Sequence, residues 1–198
     1  MEHREYFNKI AHKWDEICSH DTAKLKAITK MADISKGRRV LDVGTGTGVM
    51  LPFIHKLVGD EGKITAIDLA EKMLEVAKQK YPFDNIRFIF GDIATAALPK
   101  IYYDVIMCYS VFPHFKDKPQ IISHMAGLLK SRGRLVIAHS QSRNAINSLH
   151  AKLDAVREDQ LPEATTIENF PKQAELVPVA TEDNDEMFVV IGQKNFKS

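Results

Sequence analysis

The chain predicts a three-layer α/β/α sandwich: a doubly wound, mostly parallel sheet of seven strands with an antiparallel C-terminal strand. Three observations carry that expectation. Short apolar runs rich in β-branched residues alternate with helix-periodic segments from about Arg39 to His150. The turn after the first of these runs is "GTGTG", Gly44 to Gly48. Beyond His150 two β-rich runs flank the acidic turn "EDND", which reads as a terminal antiparallel hairpin.

Taken in order, Phe7, Ile10, Ala11, Trp14 and Ile17 recur at helical spacing and predict an amphipathic first helix. A second helix is expected from about Thr22 to Ala32, with Asp21 as its N-cap. The five strands that follow are Arg39–Val43, Lys63–Asp68, Ile86–Phe90, Tyr103–Tyr109 and Arg134–His139. Each is nearly continuous in apolar residues, as strands covered by helices on both faces should be. Helices are expected near Val49–Val58, Glu71–Lys80 and Pro119–Leu129, Pro119 fitting a first helical turn where its missing N–H costs nothing. "KSRGR" then stops that helix and turns the chain into the next strand, with Gly133 expected at positive φ. Strand–helix alternation of this kind means right-handed crossovers and a parallel sheet. After His150 a helix to about Glu158 and a Pro-containing connection lead into the hairpin.

The 198 residues suit one domain, and 44% hydrophobic with 27% charged residues allows a sizeable core. A net charge of +1 with no basic tract gives no footprint for nucleic acid or an anionic membrane. No apolar run approaches the roughly 20 residues that span a bilayer. The N-terminus reads as no signal peptide. With only Cys18 and Cys108, a disulfide framework is not expected, and the cytoplasm is the default compartment.

Three alternate glycines are costly in a folded backbone unless something must come close to it. Here they sit at the carboxyl edge of a parallel sheet, where ligands bind at the switch point of strand order. A dinucleotide fingerprint, Gly-x-Gly-x-x-Gly, would place its third glycine at Val49, and it fails there. Asp42, just before the loop, would repel a pyrophosphate but suits a ligand with an ammonium group. S-adenosylmethionine (SAM) carries that group and no phosphate.

"VLDVGTGTG" resembles motif I of the class I SAM-dependent methyltransferases. "ITAIDLAEKMLEVAKQK", "IRFIFGDIA", "YDVIMCYSVFPHF" and "LLKSRGRLVIAHS" resemble the later motifs of that family, in order. The similarity covers roughly Gly37 to Lys194, and its style is nearest to small-molecule methyltransferases of the ubiquinone and menaquinone type. The resemblance implies a role for each matched residue. Asp42 with the backbone of Gly44, Thr45, Gly46 and Gly48 would hold the methionine portion of SAM. Asp68 would take the ribose hydroxyls, and Leu69 and Met73 would pack on ribose and adenine. Asp92 would take the adenine amino group, with Ile93 beside the ring. Tyr109 and Ser110 would face the methyl donor. S-adenosylhomocysteine (SAH) would be the product.

Methyl transfer from a sulfonium is an in-line displacement, so the enzyme's task is positioning, with a base where the acceptor carries a proton. His114 in "SVFPHF" and His139 in "IAHS" end strands at the ligand edge, and they join Tyr109 as catalytic candidates. His150 would return toward the same mouth, so that the three histidines converge as base or as metal ligands. Their spacing matches no recognised ligand pattern, and no metal is assigned. Residues 1–34 resemble a lid segment and 35–198 the methyltransferase domain. Tyr6, Phe7 and Trp14 would stack on ligand or dock the lid. A small-molecule acceptor, no nucleic-acid partner, no membrane span, and a monomer or homodimer are expected. Two other readings remain at this stage: a SAM-binding module without turnover, and an NAD-dependent oxidoreductase, against which the glycine spacing and Asp42 both argue.

Overall fold

The computed structural model describes residues 3–196; the outermost two residues at each end of the expected lid and domain lie outside it. The seven strands are β1 (Arg39–Val43), β2 (Lys63–Asp68), β3 (Ile86–Phe90), β4 (Tyr103–Tyr109), β5 (Leu129–His139), β6 (Leu176–Asp183) and β7 (Phe188–Lys194). They form one sheet in the order β3-β2-β1-β4-β5-β7-β6. The first five run parallel, and β7 lies between β5 and β6, antiparallel to both. The chain starts at the centre, winds out to β3, then returns to the other side of β1 as β4. The carboxyl ends of β1 and β4 therefore flank the switch point.

Side chains alternate across a strand, so each inner strand feeds two cores. Leu41 and Val43 of β1, with Ile106 and Cys108 of β4, belong to one face. Val40, Val105, Met107 and Tyr109 belong to the other. Every residue of β4 is buried. At its amino end Asp104 accepts from both Lys130 Nζ at 2.9 Å and the Arg39 N–H at 2.8 Å, with Arg38 at 3.1 Å. Burial alone would raise that carboxyl, but these donors outweigh it and hold it below its ordinary range.

Helices α3 (Thr22–Met31), α4 (Leu51–Val58), α5 (Glu71–Lys80), α6 (Lys118–Leu128), α7 (Arg143–His150) and α8 (Ala164–Glu168) follow the strand order. Asp21 caps α3 as expected, accepting from the N–H groups of Ala23 and Lys24. Five expectations are corrected. The first amphipathic stripe is broken into α1 (His3–Ile10), a 3-10 turn (Ala11–Lys13) and α2 (Trp14–Ile17), which leaves Ile17 60% exposed. Helix α4 starts at Leu51, because the glycine turn continues through Met50. Arg132, not Gly133, takes positive φ; a Cβ at Gly133 would stand 2.9 Å from the Lys130 carbonyl, so its requirement is space. Strand β5 begins at Leu129, with Lys130–Gly133 bulged out between the pairs Tyr103–Leu129 and Val105–Arg134. Past His150 the helix gives way to turns, ending the helical expectation short of Glu158.

Helix α1 lies across the sheet's carboxyl edge. Arg4 forks onto Glu71 at 2.9 and 3.0 Å, and Asn8 bonds Glu71 and the Lys72 N–H. Farther on, Asp15 accepts from Thr47 of the glycine turn and from Lys80. The segment is thus tied to the start and end of α5 and to the turn after β1. Among the described residues no helix is long and apolar enough to cross a membrane.

Candidate functional site

A cavity of about 930 Å³ opens at the switch point, under α1. One wall is the glycine turn. The N–H of Gly44 bonds the Ile67 carbonyl at 2.8 Å, which pins the turn over the end of β2. A Cβ on Gly44 would lie 2.3 Å from Val111 Cγ2, and φ is +65°, so only glycine fits. At Gly46 the space a Cβ would take is open, and it faces the cavity.

Asp68 ends β2 beside the turn. Its Oδ2 accepts from the Gly46 N–H and its Oδ1 from the Ala70 N–H, both at 2.8 Å. Burial raises its carboxyl, against which the backbone donors of Ala70, Gly46 and Leu69 pull. Each oxygen keeps lone-pair capacity toward the cavity. Thr45, Leu69, Met73, Asp92 and Ile93 complete this half of the wall. The Asp92 carboxylate also caps its own turn through the Ala94 N–H at 2.9 Å.

The other half holds Tyr109, Ser110 and His114, with His3, Phe7 and Trp14 from the N-terminal segment. The Tyr109 hydroxyl meets His20 Nδ1 at 2.8 Å and Ser140 Oγ at 2.7 Å. Burial keeps this phenol protonated, raising it further above its ordinary value. His114 Nδ1 lies 2.7 Å from Asp159 Oδ2, its ring packs edge-on against Phe7, and it stacks with His150 at 5.2 Å. Burial drives His114 down, and the Asp159 carboxylate only partly offsets that, so the imidazole is neutral near pH 7.

Three expected site residues do not reach the cavity. Asp42, 2% exposed, lies beneath the turn and accepts from Thr45 Oγ1 at 2.5 Å. Desolvation raises its carboxyl to about 7, with Thr45 opposing and the nearby Asp68 adding to the rise. Gly48 serves packing: a Cβ there would stand 2.9 Å from both Leu51 and Tyr81. His139 is 2% exposed, lies against Phe188, and neither ring nitrogen has a hydrogen-bond partner among the described residues. Burial, with His114 and His150 nearby, lowers it to about 3, which makes it a poor base, and it does not line the cavity. In its place the fold brings His3, His20 and Asp159 to the site. Nothing local in the sequence marks them, because each arrives from outside the strand-end motifs.

A parallel sheet with a reversed last strand, a glycine turn after β1 and an acid ending β2 define the class I SAM-dependent methyltransferase fold. The chain belongs to the family described as "Methyltransferase domain", whose model matches residues 34–194. It is 29% identical to the ubiquinone/menaquinone biosynthesis C-methyltransferase UbiE of Azotobacter vinelandii, over 72% of this chain and 60% of that protein. The chain thus spans about three fifths of the length of the curated relatives it matches. Among solved structures, a SAM-dependent methyltransferase from Aquifex aeolicus superimposes with a TM-score of 0.73 at 20% identity, over 94% of this chain and 97% of that one. Magnesium protoporphyrin IX methyltransferase from Synechocystis, solved with bound SAH, gives 0.70 at 17%, over 97% and 98%.

Proposed function

We propose that this chain transfers a methyl group from SAM to a small-molecule acceptor held under its N-terminal segment. The observation that carries the reading is one cavity of about 930 Å³ with a donor wall and an acceptor wall. That volume is at the upper end of the roughly 300–1,000 Å³ usual for small-molecule sites. It suits two ligands side by side.

The residues present fit SAM. Gly46 leaves the turn's backbone bare toward a ligand, and Asp68 offers two carboxylate oxygens to a ribose diol. Asp92 and Ile93 border the adenine end, and Leu69 and Met73 supply apolar contact. Asp42 acts from below, holding Thr45 and so the shape of the turn. Bound SAM supplies the methyl group on a sulfonium. The chain supplies alignment, worth up to about 7–11 kcal/mol when a near-attack geometry is held.

On the acceptor wall, the Tyr109 hydroxyl is engaged with His20 and Ser140. His114 lines the same wall. A neutral imidazole held by Asp159 has a lone pair to offer, to an acceptor's proton or to an ion. Helix α1 acts as lid. With Phe7 and His3 over the opening, it leaves room for a small molecule and excludes a folded protein.

Titration calorimetry with SAH tests the donor half. The protein binds it, and Asp68→Asn loses at least about tenfold in affinity, the equivalent of one charge-assisted hydrogen bond. Labelled SAM with a panel of phenols, thiols and amines then tests transfer. A folded protein that binds neither SAM nor SAH refutes the proposal.

A further inference from the structure

The acceptor wall carries a cluster that methyl transfer does not by itself require. His3 Nε2 lies 2.8 Å from Asp159 Oδ2, and His114 Nδ1 lies 2.7 Å from the same oxygen. The ligand atoms of the three residues fall within 4.8 Å of one another. All three side chains are largely shielded, with exposures of 24%, 15% and 14% for His3, His114 and Asp159.

They come from three separate parts of the chain: α1, the 3-10 turn Phe112–His114 after β4, and the connection between α7 and α8. Two of them are supported from outside. His150 donates its Nδ1–H to the Asp159 backbone carbonyl at 2.7 Å and stacks its ring on His114. His3 and His114 pack ring against ring at 5.4 Å. Such outer contacts fix ligand orientation in metal sites. Two imidazoles also crowd one carboxylate oxygen, an arrangement for which a single cation bridging all three is the chemical complement.

We infer that His3, His114 and Asp159 form a site for one divalent transition-metal ion whose open coordination positions face the methyl-transfer cavity. Two imidazoles and one carboxylate suit zinc, cobalt or iron in the divalent state, and do not suit magnesium or calcium, which prefer all-oxygen sets. Three protein ligands leave at least one position for an outside donor. His3 and His114 line the cavity, so that position opens where the acceptor would sit. The acceptor class follows: a molecule that ligates through an oxygen or nitrogen, the metal favouring its deprotonated form. This last step rests on the methyl-transfer reading; the ion site itself does not.

The test uses tag-free protein stripped with a chelator and titrated with Co²⁺. Visible ligand-field bands of a four- or five-coordinate ion should grow to one equivalent, and Zn²⁺ should displace them. Asp159→Asn and His114→Ala should each weaken Co²⁺ by more than the roughly 10–100-fold that losing a mere supporting contact costs. Their thermal unfolding and SAH affinity are measured beside it, to show that they fold. Acetohydroxamate should shift the bands if the open position is reachable from the cavity. Absence of saturable Co²⁺ binding, or binding that both substitutions leave intact, overturns the site. Unmoved bands with hydroxamate overturn the acceptor assignment. SAH binding without Co²⁺ binding sinks the metal site alone, while Co²⁺ without SAH sinks methyl transfer and leaves an ion site.

Discussion

Replacing Asp42 by Asn should stabilise the protein at alkaline pH and do little at acid pH. The carboxyl is 2% exposed, and desolvation raises it from 3.8 to about 7. In the native state it therefore stays protonated between those two values while the unfolded chain releases its proton. Unfolding is then favoured as pH rises through that window, and the loss is complete above about 7. The gap between the two values corresponds to about 4 kcal/mol, of which about 3 falls between pH 5 and pH 8. Asparagine is neutral throughout, and its carbonyl can still accept from Thr45. Urea unfolding of both proteins near pH 5 and near pH 8 isolates this group together with its coupling to Asp68, since the groups that do not interact with it cancel in the difference. The Asp42→Asn variant should gain about 3 kcal/mol over the parent on going to the higher pH, roughly 6–12 °C in melting temperature for a chain of this size. A gap that stays constant, or favours the parent at pH 8, would mean that the turn stabilises the charged form and that the desolvation argument is wrong.

Gly44→Ala adds a Cβ 2.3 Å from Val111 at a positive φ, and should cost about 2–5 kcal/mol in chemical denaturation, with Val111→Ala restoring the packing share only. Asp104→Asn should cost about 1–3 kcal/mol near neutral pH. Because that carboxyl is held below its ordinary value, its contribution is present above the unfolded value and disappears as pH falls through the native one, so the penalty should shrink in acid. His139→Leu removes two unpartnered buried nitrogens and should leave stability unchanged or raise it by about 1 kcal/mol, with the pH profile of methyl transfer unaltered. Arg4→Ala breaks the fork to Glu71 and should speed amide hydrogen exchange in α1 while β1 and β4 keep their protection.

The sheet was legible because its signal is local. Strands β1 to β4 are short, nearly continuous apolar runs, and their limits match the expectation residue for residue. Where spatial crowding decides, the sequence misleads. Gly133 looks like a positive-φ stop, yet the residue before it takes that conformation, and what the glycine answers is crowding by the Lys130 and Tyr103 carbonyls. The cavity wall built from the glycine turn, Asp68 and Asp92 was readable for the same local reason, since those residues end or follow strands. Strand-end logic also proposed His139, and there it failed: the last residue of β5 pairs with Phe188 of the antiparallel β7, which covers it. The wall around His114 was least legible. His3 and Asp159 stand 156 positions apart and meet only because α1 crosses the edge of the sheet.

The placement of β7 has a consequence for how the protein is made. On the ribosome β6 emerges before β7, yet its sheet neighbour is β7 and not β5. Until Phe188–Lys194 clears the exit tunnel, β5 waits with a bare flank of unpaired N–H and C=O groups, and the finished hairpin must slot in as a unit. Nascent chains halted upstream of Phe188 should therefore be the species that chaperones hold and that clump together when released.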